Sequence, residues 1–437
     1  MSSVRSQRPT WLAAVAMALA VTLTGITGCT GPAPIVDFYV DAAAGSDANA
    51  GTAAEPFKTL THALNTVSGG HTIHLAAGTY DEANGEVWPT QTGSPPVAQA
   101  NVPDGVTITS DGSAALLLGP GGATTTSALV FAGEATVEGL SVSGFMRGIL
   151  LGQDAVVTLE GVEVTDSARE GVFAFNNASL TILSSELHDN GGAGLRTRGG
   201  SDVTVQDSLI HHNLPGVALG GVSTVVVRDS DVYQNGTLVG GGDHSGFSLL
   251  AGSELTTENT TIRENAFAGV NLDVCGTVLL GPGTDVHDNY LGVVVDGLAP
   301  IDASLEFDGA TVRNNDYEGV YWAASMGVSF KMRNTAVIDN GDNGIFFDGD
   351  AEVIDLGTSD DPGNNDYSGN GEPLILDNRL GRPVADGTII TVSYEDTLAP
   401  CLVANVPSVG PVNMSCGGID VITISNANNR VHVMTSP

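Results

Sequence analysis

Two phenylalanines and two arginines on neighbouring repeats of the chain have the chemistry of a ligand-binding patch. Phe173 and Phe175 are separated by one residue, and Arg196 and Arg198 follow at the equivalent positions one repeat later. Aromatic rings stack on ring-shaped ligands and on guanidinium groups, and arginine pairs with carboxylates through two parallel hydrogen bonds. We expect these four side chains to point outward. One interpretation is a patch that binds an acidic sugar, and the interpretation that we favour is a cluster that satisfies itself or lies under a neighbouring loop.

Seven side chains form a second column, because each stands two residues before a residue that recurs once in every repeat of the chain. Its members are mostly basic or aromatic, and they are Thr165, His188, His211, Tyr233, Arg263, His287 and Arg313. One interpretation is a polysaccharide groove in which His188 and His211 bind the ligand. These two histidines are also a candidate metal pair, although no third ligand is evident. The interpretation that we favour is charge balance against an adjacent acidic column. That acidic column contains Asp166, Asp189, Glu264, Asp288 and Asp339.

An acidic segment near the end of the repeats is a candidate cation site. Residues 339–366 contain nine carboxylates and no lysine or arginine. Because calcium is bound by flexible sets of oxygen ligands, this segment is a candidate calcium site. The candidate ligands are Asp339, Asp342, Asp348 and Asp350. The interpretation that we favour is a set of solvated acidic turns, because the spacing does not resemble an EF-hand loop.

The elements that position these side chains are indicated by a repeated asparagine. The asparagines are Asn190, Asn213, Asn235, Asn265, Asn289, Asn315 and Asn340, at intervals of 23, 22, 30, 24, 26 and 25 residues. We expect each asparagine to adopt the left-handed conformation of a sharp turn and to bond through its amide to the asparagines of adjacent repeats. A glycine column follows, in which the missing side chain relieves crowding. That column contains Gly148, Gly171, Gly194, Gly216, Gly246, Gly269, Gly292, Gly319 and Gly344.

Alternation of apolar and polar residues within each repeat indicates strands. Three short strands in 22 to 26 residues are typical of a single-stranded right-handed parallel β-helix. We therefore predict an all-β solenoid of about 10–12 coils with N- and C-terminal caps. The residues one and three positions after each column glycine are expected to fill its core. Examples are Ile149 and Leu151, Leu195 and Thr197, Phe247 and Leu249, and Val320 and Trp322.

The charge of the chain excludes some classes of partner. Fifty acidic residues and 15 lysines and arginines give a net charge of −35. Such a surface repels nucleic acid, so we expect no nucleic-acid partner. The 42% content of hydrophobic residues indicates an ordered core rather than a disordered acidic chain. We expect the folded body to be a monomer.

Residues 1–28 have the pattern of an export signal. Arg5 and Arg8 precede an apolar run at 11–23, which is shorter than the roughly 20 residues of a membrane-spanning helix. The sequence Ile-Thr-Gly-Cys at 26–29 resembles the lipobox of bacterial lipoproteins. That resemblance implies that Cys29 is lipidated and anchors the chain to a bacterial membrane, at the outer membrane or cell surface. An ordinary signal peptide is the alternative.

The predicted export signal and β-helix also set the expected domain boundaries and the state of the other cysteines. We expect a tether at 29–36, an N-terminal cap at 37–100, β-helix coils at 101–350, and a C-terminal coil and cap at 351–437. Since exported proteins meet oxidising conditions, Cys401 and Cys416 are a candidate disulfide, and Cys275 is left as a buried thiol.

Short motifs at both ends of the repeats resemble a known family. They are 38–41 (FYVD), 45–47 (GSD), 51–52 (GT), 55–60 (EPFKTL), 63–64 (AL), 72–75 (TIHL), 78–80 (GTY), 355–358 (DLGT) and 362–365 (PGNN). The motifs between 38 and 80 resemble the opening module of bacterial extracellular β-helix proteins in the pectate-lyase-like superfamily. That module is classed as a domain of unknown function. Pro56 and Phe57 are expected to lead into a short helix at about 58–67.

The resemblance implies polysaccharide lyase chemistry, and the sequence departs from it at one required residue. Family-nine pectate lyases are similar to one another in an acidic calcium cluster and a lysine base. The cluster has a counterpart around Asp339, but the two lysines, Lys58 and Lys331, both precede it. β-Elimination needs a base beside the acidic carbon and a cation for the enolate. We therefore expect a cell-surface scaffold that binds polysaccharide without catalysis. The alternatives are a lyase or hydrolase with a non-standard site, and a structural or adhesive protein.

Overall fold

The computed structural model describes residues 37–92, 98–110, 115–121, 125–236, 244–250, 252–273, 276–296, 303–323, 328–347, 351–356 and 363–377. It also describes the stretches 389–394, 403–406, 410–413, 418–425 and 430–435. Several expectations concern residues outside these ranges. They are the export signal and tether, Cys29, Cys275, Asp348, Asp350, Cys401 and Cys416.

The chain winds into a right-handed parallel β-helix, which confirms the predicted fold class. Three sheets run along the solenoid, and a typical coil contributes one strand to each of them. Within the coils, strands pair in parallel with the equivalent strands of the neighbouring coils, as Glu186–His188 does with Glu163–Thr165 and Leu209–His211. At the C-terminal end three pairs are antiparallel, namely Ile389–Tyr394 with Gly418–Ser425, Gly418–Ser425 with Arg430–Thr435, and Val403–Val406 with Gly410–Asn413. No helix in the described ranges has the length and apolar character needed to cross a membrane.

The strand bounds follow the three sheets from one end of the solenoid to the other. The first sheet contains Asp37–Val40, Thr72–Leu75, Val106–Ser110, Glu134–Glu138, Val156–Glu160, Ser179–Leu183, Asp202–Gln206, Thr224–Arg228, Ser253–Glu258, Gly276–Leu280, Ala303–Asp308, Val328–Arg333, Ala351–Asp355, Ile389–Tyr394, Gly418–Ser425 and Arg430–Thr435. The second contains Gly78–Tyr80, Ala115–Leu118, Leu140–Ser143, Glu163–Thr165, Glu186–His188, Leu209–His211, Asp231–Tyr233, Thr261–Arg263, Asp285–His287, Thr311–Arg313 and Ala336–Ile338. The third contains Ser127–Phe131, Arg147–Leu151, Val172–Phe175, Leu195–Arg198, Val217–Leu219, Phe247–Leu249, Ala268–Leu272, Leu291–Val295, Val320–Trp322, Asn343–Phe347, Glu372–Asp377, Val403–Val406 and Gly410–Asn413.

The short helix expected near the N-terminus is present at Leu60–Thr66, and a 3-10 helix follows at Glu82–Asn84. Thr59 caps the first helix by accepting a hydrogen bond from the backbone of His62. The carboxylate of Glu86 accepts two further N–H bonds from the first helical turn, at 2.6 and 2.8 Å. Burial raises the pKa of Glu86. These contacts hold the apolar face of the helix against the solenoid core.

The interior of the solenoid is one continuous apolar cluster that extends from Val40 to Tyr367. The residues predicted to point inward from the third sheet are buried wherever their side chains are described. Trp322 and Phe247, for example, are both 0% exposed. Thr197 is the polar exception among these inward positions, and it is buried at 1% exposure. Period-two alternation was therefore a reliable guide to the core because parallel coils repeat the same pleat at the same height.

A ladder of buried asparagines joins coil to coil, as expected. Asn213 shows the pattern: its Oδ1 accepts from the backbone N of Asn190 at 3.2 Å and from Nδ2 of Asn190 at 2.9 Å. Its Nδ2 donates to the carbonyl of Leu187 at 2.9 Å and to Oδ1 of Asn235 at 3.2 Å. Asn213 is 0% exposed, so these bonds replace water completely.

The conformational role assigned to these asparagines was wrong. The left-handed residue is the one before the asparagine, as at Asp189 with φ 53° and His212 with φ 54°. The same position is left-handed at Asp166, Gln234, Glu264, Asp288, Asn314 and Asp339. Turning the chain one residue earlier directs the asparagine side chain inward along the solenoid axis. The asparagine is therefore selected by its paired donor and acceptor rather than by backbone tolerance.

The glycine column is required by the asparagine ladder. A Cβ atom on Gly194 would lie 2.7 Å from Nδ2 of Asn213 and 3.0 Å from the carbonyl oxygen of Gly216. A Cβ on Gly171 would similarly lie 2.8 Å from Nδ2 of Asn190. The backbone of each coil thus passes directly over the amide of the next asparagine, which leaves no room for a side chain.

Replacing one ladder asparagine should destabilise the fold. In Asn213→Ala, the buried N–H of Asn190 and the carbonyl of Leu187 lose a hydrogen-bond partner. We expect a loss of about 3 kcal/mol in the free energy of unfolding, measured by urea denaturation with circular dichroism. The control Gln153→Ala removes an amide from an exposed turn and should change that value by less than about 0.5 kcal/mol. Equal effects of the two variants would contradict the role of the ladder.

Candidate functional site

The phenylalanine and arginine pairs lie side by side in the third sheet, as their spacing predicted. Phe173 pairs with Arg196, and Phe175 pairs with Arg198. The expectation that both rings are exposed was wrong, because Phe173 is only 2% exposed. It packs with Val130 and Leu150 in an apolar cluster on the outer face of the sheet, and Ala98 lies against the same cluster. A segment distant in sequence therefore covers this ring.

The arginine half of the patch is largely neutralised by a residue that the sequence analysis did not select. Glu170 bonds the Nε of Arg147 at 2.6 Å and the Nη1 of Arg196 at 3.2 Å. The guanidinium of Arg147 also lies 5.6 Å from the ring centre of Phe173. Burial lowers the pKa of Arg147, and its pairing with Glu170 partly opposes that effect. The geometry agrees with the favoured interpretation of a self-satisfied, covered cluster, from which Arg198 alone projects as an exposed group.

A sequence signal for this ion pair exists. Arg147 and Glu170 each stand immediately before a column glycine, Gly148 and Gly171, so they occupy the same height on neighbouring coils. Opposite charges at equivalent positions of adjacent coils predict a cross-strand pair. The third partner, Gln91, comes from the N-terminal segment and hydrogen-bonds Nη1 of Arg147 at 2.5 Å. The repeat period does not reveal that contact.

The basic and aromatic column forms a continuous stack along the second sheet. His188 stacks on His211 with ring centres 5.0 Å apart, and His211 stacks on Tyr233 at 4.6 Å. Arg263 follows, with its guanidinium 4.4 Å from the ring centre of Tyr233. The structure therefore brings His188 and His211 together, while Phe173 and Arg196 belong to a different sheet.

Carboxylates two residues earlier on each strand pair with this column diagonally. Glu163 bonds Nε2 of His188 at 3.2 Å, and Glu186 bonds Nε2 of His211 at 2.7 Å. The same geometry recurs in coils closer to the C-terminus, where Asp231 pairs with Arg263 at 2.8 Å. The charge balance that we favoured is thus present. The acidic residues that directly follow the column take part in it, since Asp189 bonds His188 at 2.8 Å, Glu264 bonds Arg263 at 2.9 Å and Asp288 bonds His287 at 2.7 Å. The carboxylates two residues before the column were missed by the sequence analysis.

The two stacked histidines differ in proton affinity. Burial lowers the pKa of His188, but hydrogen bonds to Asp189 and Glu163 outweigh burial, so the pKa is raised. Burial lowers the pKa of His211, and the bond to Glu186 only partly offsets it. The hydroxyl of Ser141 and the ring of His188 lower the pKa of Glu163. His188 therefore keeps its proton to a higher pH than His211 does.

An aromatic strip, formed by Phe267, Tyr290 and Tyr317, was missed. The three rings stand on consecutive coils just after the repeated asparagines. Ring centres are 6.4 Å apart between Phe267 and Tyr290, and 4.5 Å apart between Tyr290 and Tyr317. Tyr290 is 40% exposed and Tyr317 is 46% exposed. The available signal was an aromatic residue one or two positions after three successive asparagines.

The candidate calcium ligands are only partly described. Asp339 occupies the left-handed position before Asn340, and Asp342 lies two residues beyond that asparagine; both are exposed. Asp348 and Asp350 lie outside the described residues. Within the described residues, the group of three side chains close enough to share a metal ion is Glu163, Glu186 and His188. Calcium at the acidic segment stays a hypothesis.

Comparisons with known proteins concern the solenoid. Residues 147–297 match the family model described as a right-handed β-helix region. Among solved structures, the chain is similar to a pectate lyase, Pel9A, at 14% identity, covering 70% of this chain and 79% of that one, with a TM-score of 0.44. For the periplasmic alginate epimerase AlgG the values are 12%, 74%, 76% and 0.42. For the alginate lyase of Paenibacillus sp. str. FPU-7 they are 20%, 63%, 94% and 0.37. No curated protein sequence matches the chain.

Removing the charge of Glu170 should destabilise the covered patch. Glu170→Gln leaves Arg147, which is 5% exposed, without its buried counterion. We expect a loss of about 3 kcal/mol in the free energy of unfolding, measured by urea denaturation.

The matched control is the ion pair of Arg228 and Glu258, whose side chains are 40% and 41% exposed. Glu258→Gln should cost less than about 1 kcal/mol, because solvent screens an exposed pair. If both variants lose the same stability, the Arg147 pair is not a buried constraint.

Proposed function

We propose that the protein is an exported β-helix scaffold that binds a neutral polysaccharide along the aromatic strip and does not cleave it. The observation that carries this proposal is the exposure of two tyrosine rings in contact on consecutive coils. In the described part of the chain, the exposed large hydrophobic side chains are Val87, Val156, Leu209, Val222, Tyr290 and Tyr317. Of these, the tyrosines form an aromatic contact with each other.

The strip has the properties of a stacking platform. Its backbone is tied between coils, with Leu291 donating to the carbonyl of Phe267 at 2.8 Å and Tyr317 donating to that of Tyr290 at 3.0 Å. Phe267 and Tyr321 pack over a buried apolar cluster that contains Leu291 and Val294. A rigid aromatic surface needs little ordering when a ligand binds, and each tyrosine adds a hydroxyl for hydrogen bonding. A polymer of sugar rings can contact successive coils in the same manner.

The charge around the strip favours a neutral sugar. A hydrogen bond that the hydroxyl of Tyr290 donates to Tyr317 is the main cause of the raised pKa of Tyr290, and the nearby charges of Glu318 and Asp316 contribute. These carboxylates, within a chain of net charge −35, would repel a polyuronate. The covered state of Phe173 and the pairing of Arg196 remove much of the basic surface that an acidic sugar would need.

The proposal of binding without catalysis is supported by the state of the lysines. Lys331 donates to Glu306 at 2.6 Å, so its ammonium group is engaged in an ion pair. Lys58 stands in the N-terminal segment, where its backbone N–H bonds Asp47. A lyase with a different base is the second candidate, on the strength of the resemblance in the terminal motifs.

The location belongs to the same proposal. The sequence at 26–29 supports lipidation of Cys29 and attachment of the folded body to a bacterial membrane. We expect Cys29→Ala expressed in a bacterial host to lose incorporation of labelled fatty acid and to leave the membrane fraction. Cys275→Ala is the matched control and should keep both. Unchanged labelling of the Cys29→Ala chain would remove the anchor from the proposal.

Polysaccharide binding is tested by affinity electrophoresis and calorimetry with neutral glucans, xylans and mannans. Tyr290→Ala combined with Tyr317→Ala should weaken binding at least tenfold, since burying an aromatic ring contributes about 1.5–3 kcal/mol. Replacing both tyrosines by phenylalanine should preserve most of the affinity, because the rings remain. Tyr233→Ala removes a tyrosine from the second sheet and should have no effect.

Two outcomes would contradict the proposal. Equal binding by the double alanine variant and the parent would exclude the strip as the binding surface. Release of unsaturated product from pectate or alginate, followed by ultraviolet absorbance with calcium present, would favour the lyase instead.

A further inference from the structure

Beyond the proposed sugar binding, we propose that Glu163, Glu186 and His188 form a binding site for a divalent first-row transition metal ion, represented by Zn²⁺. The three side chains project from two neighbouring strands of the second sheet. Glu163 pairs directly with Glu186, and His188 is two residues beyond Glu186 on the same outward face. The site therefore combines His188 with two carboxylates, Glu186 from its own strand and Glu163 from the adjacent coil, instead of with His211.

The separations suit one shared ion. The ligand atoms of the three residues all lie within 4.8 Å of one another. Because Zn–N and Zn–O bonds are about 2.0–2.2 Å long, ligand atoms around one tetrahedral zinc ion lie roughly 3.3–3.6 Å apart. The Nε2 atom of His188 and the Oε1 atom of Glu163 are 3.2 Å apart, so they already form one edge of such a site. Small side-chain rotations bring the Glu186 carboxylate to the remaining position.

Each of the three ligands is oriented by a second group. Asp189 accepts a hydrogen bond from Nδ1 of His188 at 2.8 Å, which directs Nε2 toward the carboxylates. Ser141 donates to Oε2 of Glu163 at 2.6 Å, and His211 bonds Oε1 of Glu186 at 2.7 Å. A carboxylate on the far nitrogen of a metal-binding histidine fixes its tautomer and raises its basicity.

The donor set and exposure define the class of ion. An imidazole with two carboxylates suits zinc and its neighbours, whereas calcium and magnesium take oxygen ligands. The His188 side chain is 16% exposed and that of Glu163 is 40% exposed, so the site is open to solvent on one side. Water can complete the coordination there. The ion pairs found for Glu163 and Glu186 in the described chain are with histidines, so no lysine or arginine has to be displaced.

The same column supplies a matched comparison lower in the solenoid. His287 also stands beside carboxylates, with Asp288 bonded to its Nδ1 at 2.7 Å. Its second carboxylate, Asp285, is bound by Arg313 through two hydrogen bonds of 3.1 and 2.7 Å. The preceding coil has Thr261 at the position that Glu163 occupies beside Glu186, so the second carboxylate of the site is missing at His287. The geometry distinguishes the two histidines although the sequence places them in one column.

The test is calorimetric titration of Zn²⁺ into the full-length chain after treatment with a chelator. The parent should bind one zinc ion. His188→Ala and Glu186→Gln should each weaken the affinity for that ion at least tenfold. Asp189→Asn should weaken binding about tenfold, as expected for a group that orients a ligand. His287→Ala should match the parent, and excess Ca²⁺ should not compete. Circular dichroism verifies that each variant is folded. If His188→Ala does not fold, Glu186→Gln still tests the site.

A spectroscopic measurement separates a built site from adventitious binding to the acidic surface. Co²⁺ bound to the parent should show visible absorption bands of a nitrogen and oxygen site, and these bands should be absent from His188→Ala and present in His287→Ala. Identical zinc affinity and cobalt spectra in the parent and His188→Ala would overturn the proposal. Equal weakening by His287→Ala would also overturn it, because it would show nonspecific histidine binding.

Discussion

The register between neighbouring coils is the constraint on which the remaining structure depends. Parallel strand pairing holds equivalent residues of successive coils beside one another, and the buried asparagine ladder permits no slip. A shift of one residue would place an amide that now makes several bonds against groups that cannot pair with it. The glycines above each amide reinforce this constraint, since a Cβ on Gly194 would collide with Asn213.

Because the register is fixed, outward side chains form columns along the surface of the solenoid. The chemistry of each column depends on which residues are paired between adjacent coils. Along the second sheet, a carboxylate on one coil meets a histidine or an arginine on the next, as in Glu186 with His211 and Asp285 with Arg313. Arginine neutralises its partner through two bonds and leaves little for a ligand. Histidine keeps a nitrogen that a proton or a metal ion can occupy. The preceding coil decides whether a second carboxylate is present, because Glu163 pairs with Glu186 beside His188 whereas Thr261 pairs with Asp285 beside His287.

Two aromatic groups on the outside of the solenoid differ in their exposure to solvent. Phe173 is covered by neighbours that include Ala98, and it takes part in a buried cluster with Arg147. Tyr290 and Tyr317 keep much of their ring surface in solvent. Phe173 lies on a strand of the third sheet beneath a segment distant in sequence, whereas the two tyrosines lie in the turns that lead into that sheet. Function on such a solenoid is expected where cover is missing.

The sequence by itself determined the parallel β-helix, the inward and outward positions, the asparagine ladder and the pairing of Phe173 with Arg196. It did so because each of these repeats at the period of one coil, and parallel stacking converts a sequence interval directly into a spatial neighbour. The tertiary structure alone decided that Phe173 is buried, that Gln91 reaches Arg147, and that Glu163 meets His188. These contacts depend on segments outside the repeat and on side-chain rotamers, which adapt to local packing and hydrogen bonding rather than to the period.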